Sequence, residues 1–265
     1  MNCNSSDLAC ENYKKAQKAE KSSAEPDIFY EKISNRIEKQ TFTFRDGCNK
    51  KSTVYFTPHL TELIDEDFVY IRTLISANII EFLNDFLYTK RKDFSVLTVG
   101  LGNPAFSTDS LGPETVKNIK TTFKKKQGKA VYSIIPNVEI NTGIQSASHV
   151  LSLTKSLKPD VVMVIDSLAA RSLDRLASTI QISNFGLSPG SGLGRTRQRI
   201  DKDLLGIPVI SIGIPTVVDL SAITNINGST DIKKKYFVTP NEIEIVIKTG
   251  AFLLSDAINS AIWGN

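Results

Sequence analysis

The sequence predicts an α/β protein: a mostly parallel sheet flanked by helices, preceded by an N-terminal hairpin and one long helix. Two observations carry that reading. From residue 94 onward, short β-branched runs alternate with helical tracts, the pattern of parallel strands joined by crossover helices. The run Val-Val-Met-Val-Ile at 161–165 is apolar throughout, too short and too β-branched for a helix, as befits a strand buried on both faces.

In chain order, residues 1–26 are polar, with a Lys/Glu-rich helical tract at 9–21. Runs of β-formers at 41–44 and 52–56 flank Asp46 and Gly47 and read as a hairpin stopped by Pro58. Residues 67–88 repeat apolar side chains at Val69, Leu74, Ile75, Ile79, Ile80 and Leu83, a long amphipathic helix covering the sheet. Strands follow at 95–101, 130–135, 161–165, 179–183 and 209–214, the last bracketed by Pro208 and Pro215. Gly112, Pro113 and Glu114 open a helix, with proline at the favoured first position. Residues 146–158 and 240–262 read as further helices, and the glycines and proline of 188–194 fit only a loop.

The chain has 265 residues, with 32 Lys and Arg against 28 Asp and Glu, a net charge of +4. Lysines at 124–126 and 129 and arginines at 195, 197 and 199 are solvated faces in the plain reading; the sharper one has the arginines steering an acidic partner. Cys3, Cys10 and Cys48 show no C-x-x-C spacing, which argues against a disulfide framework or a structural zinc site and suits a reducing cytosol. No secretory signal is evident, and no apolar stretch is read as approaching the roughly 20 residues that span a bilayer. A cytoplasmic protein without membrane or direct nucleic-acid partners is expected.

The chemistry centres on two acids. Asp166 ends the apolar run at 165, where a strand gives way to the crevice in which α/β sheets bind ligands. Asp109 follows the 95–101 strand through Gly102, Asn103 and Pro104. Two carboxylates brought together cannot both ionise freely, so one can act as base and one as acid, as peptide hydrolysis without a covalent intermediate requires. The plain alternatives are a turn-shaping Asp109 and an Asp166 paired with Arg171. The backbone of Gly190, Ser191 and Gly192 could line the cleft. Gly-Leu-Gly-Asn-Pro-Ala at 100–105 matches a dinucleotide turn, but Pro104 and the late helix start count against it. His59 and His149 have no ligand partners at suitable spacing, so no metal residues are assigned and no cofactor is expected, with metal dependence left open.

Several stretches together resemble the germination protease family of spore-forming bacteria: Gly-Leu-Gly-Asn at 100–103, Thr-Asp-Ser-Leu-Gly-Pro at 108–113, Thr-Gly-Ile-Gln at 142–145, Asp-Ser-Leu-Ala-Ala-Arg-Ser at 166–172, Ser-Pro-Gly-Ser-Gly at 188–192 and Gly-Ile-Pro-Thr-Val-Val-Asp at 213–219. The resemblance is close from residue 94 onward and looser before it. It implies a fold similar to hydrogenase-maturation endopeptidases and an endopeptidase that begins degradation of small acid-soluble spore proteins in the spore core at germination. The positions matching the family's two aspartates are Asp109 and Asp166, with Arg171, Gly190, Ser191, Gly192 and Asn103 in binding or supporting roles.

The resemblance also implies a zymogen that removes its own N-terminal segment. Asp7-Leu8-Ala9 matches that junction, which makes residues 1–7 a pro-segment and 8–265 a single peptidase domain, with an N-terminal part at 8–90 and a catalytic core at 91–265. That pro-segment is shorter than the family's, and the stretch between Asp219 and Tyr236 is shortened as well. A homo-tetramer is implied. The alternatives are a metal-dependent maturation-type peptidase of the same fold and a non-catalytic anion- or nucleotide-binding module.

Overall fold

The computed structural model describes residues 26–45, 49–87, 93–122, 124–190, 197–220 and 236–264. The expected helical tract at 9–21 lies outside them. The strands are β1 (Asp27–Lys32), β2 (Glu38–Thr43), β3 (Lys51–Phe56), β4 (Phe94–Gly100), β5 (Lys129–Ile134), β6 (Val161–Ala170), β7 (Thr179–Ser183), β8 (Val209–Asp219) and β9 (Phe237–Val238). The helices are α1 (Asp65–Leu87), α2 (Leu111–Lys117), α3 (Glu139–Thr142), α4 (Ser146–Leu157), α5 (Lys202–Leu205) and α6 (Ile243–Trp263). Among the described residues the strands form one sheet in the order β1-β2-β3-β7-β8-β6-β4-β5, with β9 also on β8.

The expected parallel core is the run β5-β4-β6-β8. The expected hairpin is β2 and β3, joined antiparallel from Glu38 opposite Phe56 to Thr43 opposite Lys51. It docks through β3 onto β7, which is itself antiparallel to β8, so the sheet as a whole is mixed. β1 was not expected. It is an edge strand with mostly exposed side chains, and without a buried face its residues carry no apolar alternation to read. Its charges are managed locally, with Arg45 gripping Asp27 through Nε at 2.9 Å and Nη2 at 2.5 Å.

Side chains of successive strand residues alternate between two apolar layers. Val161, Met163 and Ile165 of β6 face α1, α2 and α6, packing in one cluster with Ile71, Ile75, Ile79, Phe82, Leu253, Leu254 and Ile258. Val162 and Val164 face the other way, with Leu97, Val99, Leu101, Val150, Ile200 and Leu205. α1 starts where Asp65, Glu66 and Asp67 complement the helix dipole, and Asp67 also pairs with Arg36 at 2.9 Å. α6 is 21 residues long and, by length and composition alone, apolar enough to cross a membrane, contrary to the sequence expectation. It is a core helix: Val246, Leu253, Leu254 and Ile258 are buried against the sheet.

Three boundaries move. β6 runs on past Asp166 to Ala170, and β8 runs through Pro215 to Asp219, because the two pair with each other well beyond the end of β4. Pro215 is accommodated by a bulge: Leu168 pairs with Pro215 and Ala169 with Val217, which leaves Thr216 without a partner on β6. α2 begins at Leu111, so Pro113 stands third in the helix rather than first, still within the turn whose N–H groups need no helical acceptor.

Candidate active site

Asp166 interrupts an apolar row. On its face of β6, Val162 and Val164 belong to one cluster, while Leu168 and Ala170 belong to another with Phe42, Val54, Leu176 and Val218. The carboxylate lies between the two and is only 5% exposed. A buried acid is tolerable only with polar partners, and one is the N–H of Ser167, 2.9 Å from Oδ1. Across the sheet Asp166 pairs with Gly213, and a Cβ there would stand 2.6 Å from Leu168 Cγ and 2.8 Å from the Asp166 carbonyl. Glycine is required at that position by space rather than by backbone torsion.

On its other side β6 loses its neighbour at this point. Gly100, the last residue of β4, pairs with Ile165, and the N–H of Leu101 gives the closing bond to the Ile165 carbonyl at 2.8 Å. Asp166 is thus not at the end of its own strand, as expected from the sequence, but beside the end of β4. The crevice rule holds with the neighbouring strand as its reference.

Asp109 sits on the chain that leaves β4. Gly102 has φ +116°, and a Cβ there would lie 1.9 Å from the Asp109 carbonyl and 3.1 Å from its Oδ1. The turn therefore needs glycine both for its torsion and for the close approach of the acid. The Asn103 N–H donates to Asp109 Oδ2 at 3.0 Å, and the Asp109 N–H donates to the Phe106 carbonyl at 2.9 Å, closing a 3-10 turn over Ser107–Asp109. Gly112 then presses α2 onto the strand ends: a Cβ there would be 2.4 Å from the Leu101 carbonyl and 2.5 Å from that of Ile165. Both acids are tied to the few residues at the carboxyl end of β4, Asp109 through Gly102 and Asn103, Asp166 through the Leu101 to Ile165 bond.

The other expected site residues divide. Asn103 is buried, its Oδ1 accepting the Ala105 N–H at 3.0 Å, so its side chain stabilises the turn. Gly190 has φ +66° with open space where a Cβ would go. It lies three residues after Leu187, which together with Ile200 packs on the face that carries Asp166. A small surface depression near the start of α4 is lined by Glu139, Gln145, Ser146, Pro189 and Arg197. Arg171 stands five residues beyond Asp166 along the same extended segment, about 16 Å at the rise of a strand. Ser191, Gly192, Asp7 and Leu8 lie outside the described residues.

The dinucleotide reading of 100–105 does not survive the geometry. The Cβ position of Gly100 is filled by the Gly112 carbonyl at 2.3 Å, so this glycine serves helix packing, and the adjoining turn holds the carboxylate of Asp109 rather than room for a phosphate. Among the described residues no three His, Cys, Asp or Glu side chains gather into a metal cage. Sequence reasoning missed Gly213 and Thr216. The hydroxyl of Thr216 donates to the Thr108 carbonyl, next to Asp109, at 2.7 Å. The available signal was Pro215: a proline inside a central strand marks a bulge, and bulges re-aim side chains.

A sequence model of the family described as germination protease matches residues 4–233. Curated proteins called germination protease are similar to the chain: one from Geobacillus sp. (strain WCH70) is 46% identical over 56% of this chain and 41% of its own length. One from Caldanaerobacter subterraneus subsp. tengcongensis is 36% identical over 71% of each chain, and one from Clostridium acetobutylicum is 29% identical over 89% of this chain and 83% of its own. The matched segment thus spans less than half of the Geobacillus relative. Among solved structures, the [NiFe] hydrogenase maturation protease HycI from Thermococcus kodakarensis covers 66% of this chain and 97% of its own at 16% identity, with a TM-score of 0.36. With a matching family model over most of its length and relatives of this identity, the chain belongs to the germination protease family.

Proposed function

We propose that the protein is an endopeptidase that uses Asp109 and Asp166 as a general acid and base on small acid-soluble spore proteins. The observation that supports this most directly is the attachment of both acids to the end of β4, one from the turn after the strand and one from the neighbouring strand. A water held between two carboxyl groups that share a proton can lose its own proton to one of them while the other protonates the scissile carbonyl oxygen or the leaving amine. The proton count then closes over one turnover, and no side chain has to form a covalent bond to the substrate.

The buried setting suits the task. Apolar residues on either side of Asp166 exclude bulk water and strengthen interactions with a bound peptide. Backbone N–H groups of the loop containing Gly190, together with Arg171, would meet the substrate rather than the reacting atoms. Self-cleavage at the bond between Asp7 and Leu8, a homo-tetrameric assembly and a cytoplasmic setting in the spore core belong to the same reading and rest on family membership.

One experiment tests it. Purified protein is incubated with a small acid-soluble spore protein, and fragment masses are read for wild type, Asp109→Asn and Asp166→Asn, with and without a chelator. Cleavage by wild type, with a loss of at least about 10²-fold in each variant, is the expected result. Uncut substrate with wild type, or full activity in either variant, would sink the proposal. Strict chelator sensitivity restored by a divalent ion would favour a metal-using peptidase instead.

A further inference from the structure

We propose that Thr216 is a positioning residue for Asp109, which rests on the reading of Asp109 as one of the two catalytic acids. Thr216 is the extra residue of the β8 bulge, without a pairing partner on β6 and with 0% exposure. A regular strand would give this residue a ladder position; the bulge frees its side chain to aim out of register. Its hydroxyl donates to the Thr108 carbonyl at 2.7 Å, and its own carbonyl accepts the Thr239 hydroxyl at 2.9 Å.

The Thr108 carbonyl and the Asp109 N–H belong to one planar peptide unit. The N–H end is held by the Phe106 carbonyl at 2.9 Å and the carbonyl end by Thr216. A peptide plane fixed at both ends fixes the direction in which the Cα of the next residue projects its side chain. Asp109 lies on a short 3-10 turn that no long helix supports, so β8 supplies the anchor that the turn lacks. The same strand pairs with Asp166 through Gly213, so β8 sets the register of one acid and the orientation of the other.

Thr216→Ser and Thr216→Ala both remove the methyl group and differ only in the hydroxyl, so they separate the hydrogen bond from the packing. With a small acid-soluble spore protein as substrate, Thr216→Ala is expected to lower kcat by about 10²-fold, the loss that a displacement near 1 Å produces, with KM changed far less. Thr216→Ser is expected to stay within a few-fold of wild type. The pH profile of kcat should shift in the alanine variant alone, because the spacing of two acids sets how they titrate as a pair. Equal kcat and superimposable pH profiles for the two variants would overturn the inference. If wild type does not cut the substrate, the peptidase reading fails on its own, and the anchoring is read instead from hydrogen exchange. The amide of Asp109 should then exchange faster in the alanine than in the serine variant, and equal rates would refute it.

Discussion

Replacing Gly112 with alanine asks how closely α2 must approach the strands for the two acids to be set. A Cβ at this position would lie 2.4 Å from the Leu101 carbonyl, 2.5 Å from the Ile165 carbonyl and 2.6 Å from the Leu101 nitrogen, where ordinary contact begins near 3.4 Å. All three neighbours are backbone atoms, of β6 and of the residue that follows β4, so none can swing aside as a side chain would. Relief requires α2 to back away by roughly 1 Å, and the overpacking should cost about 1–3 kcal/mol of stability. Asp109 lies three residues before Gly112 and would travel with the helix, while Asp166 would stay on β6. On the proposed mechanism a displacement of that size lowers kcat by about 10²-fold. Urea denaturation and spore-protein cleavage by Gly112→Ala and by wild type measure the two effects separately. An alanine variant as stable and as active as wild type would show that the close approach of α2 is not what sets Asp109.

Other outcomes are expected. Asp160 accepts the Ser95 N–H at 2.8 Å and its hydroxyl at 2.9 Å, joining the starts of β4 and β6 at the end of the sheet opposite the acids. Asp160→Ala should therefore cost about 1–3 kcal/mol in urea denaturation while leaving kcat within a few-fold of wild type; a large kcat loss would contradict it. Tyr55 is buried with its hydroxyl 3.2 Å from the Leu74 carbonyl, and burial, then the charges of Glu81 and Glu31, push its phenol well above the ordinary range. The unfolded chain ionises Tyr55 near pH 10 and the folded one does not, so its contribution is intact below pH 10 and falls by about 1.4 kcal/mol per pH unit above it. Tyr55→Phe should lose about 1 kcal/mol at neutral pH and show a flatter decline in alkaline denaturation; parallel curves would refute the assignment. Gly213→Val should impair both folding and cleavage, since its side chain would meet Leu168 and the Asp166 backbone, and a fully active, stable variant would contradict that packing.

What could be read from the residues was whatever repeats or stops abruptly. The unbroken apolar run before Asp166 marked β6 because a strand covered on both faces has no polar side to interrupt it. The stop at Asp166 marked the acid but misplaced it. Leu168, Ala169 and Ala170 continue the strand by pairing with β8, a partner nearly fifty residues away that no local pattern reveals. Pro215 misled in the same way, since a proline that reads as a terminator is tolerated where a bulge removes its ladder bond. β1 left no trace because its side chains are mostly exposed. Residue type and place singled out Asp109 and Asp166, whereas the packing around them, at Gly102, Gly112, Gly213 and Thr216, depends on approach distances below the resolution of any motif.

The strand order has a bearing on how the molecule is made. β8 joins the antiparallel wing to the parallel half, yet it is built from residues 209–219, after every strand that it joins except the short β9. The wing emerges first and finds its docking strand, β7, only after about 120 further residues have been added. A nascent chain halted before Val209 would hold two sheet fragments with nothing to bridge them. Such fragments expose open edges that invite pairing with neighbouring chains on the polysome. The two halves of the sheet can therefore be joined only once the keystone strand has left the ribosome.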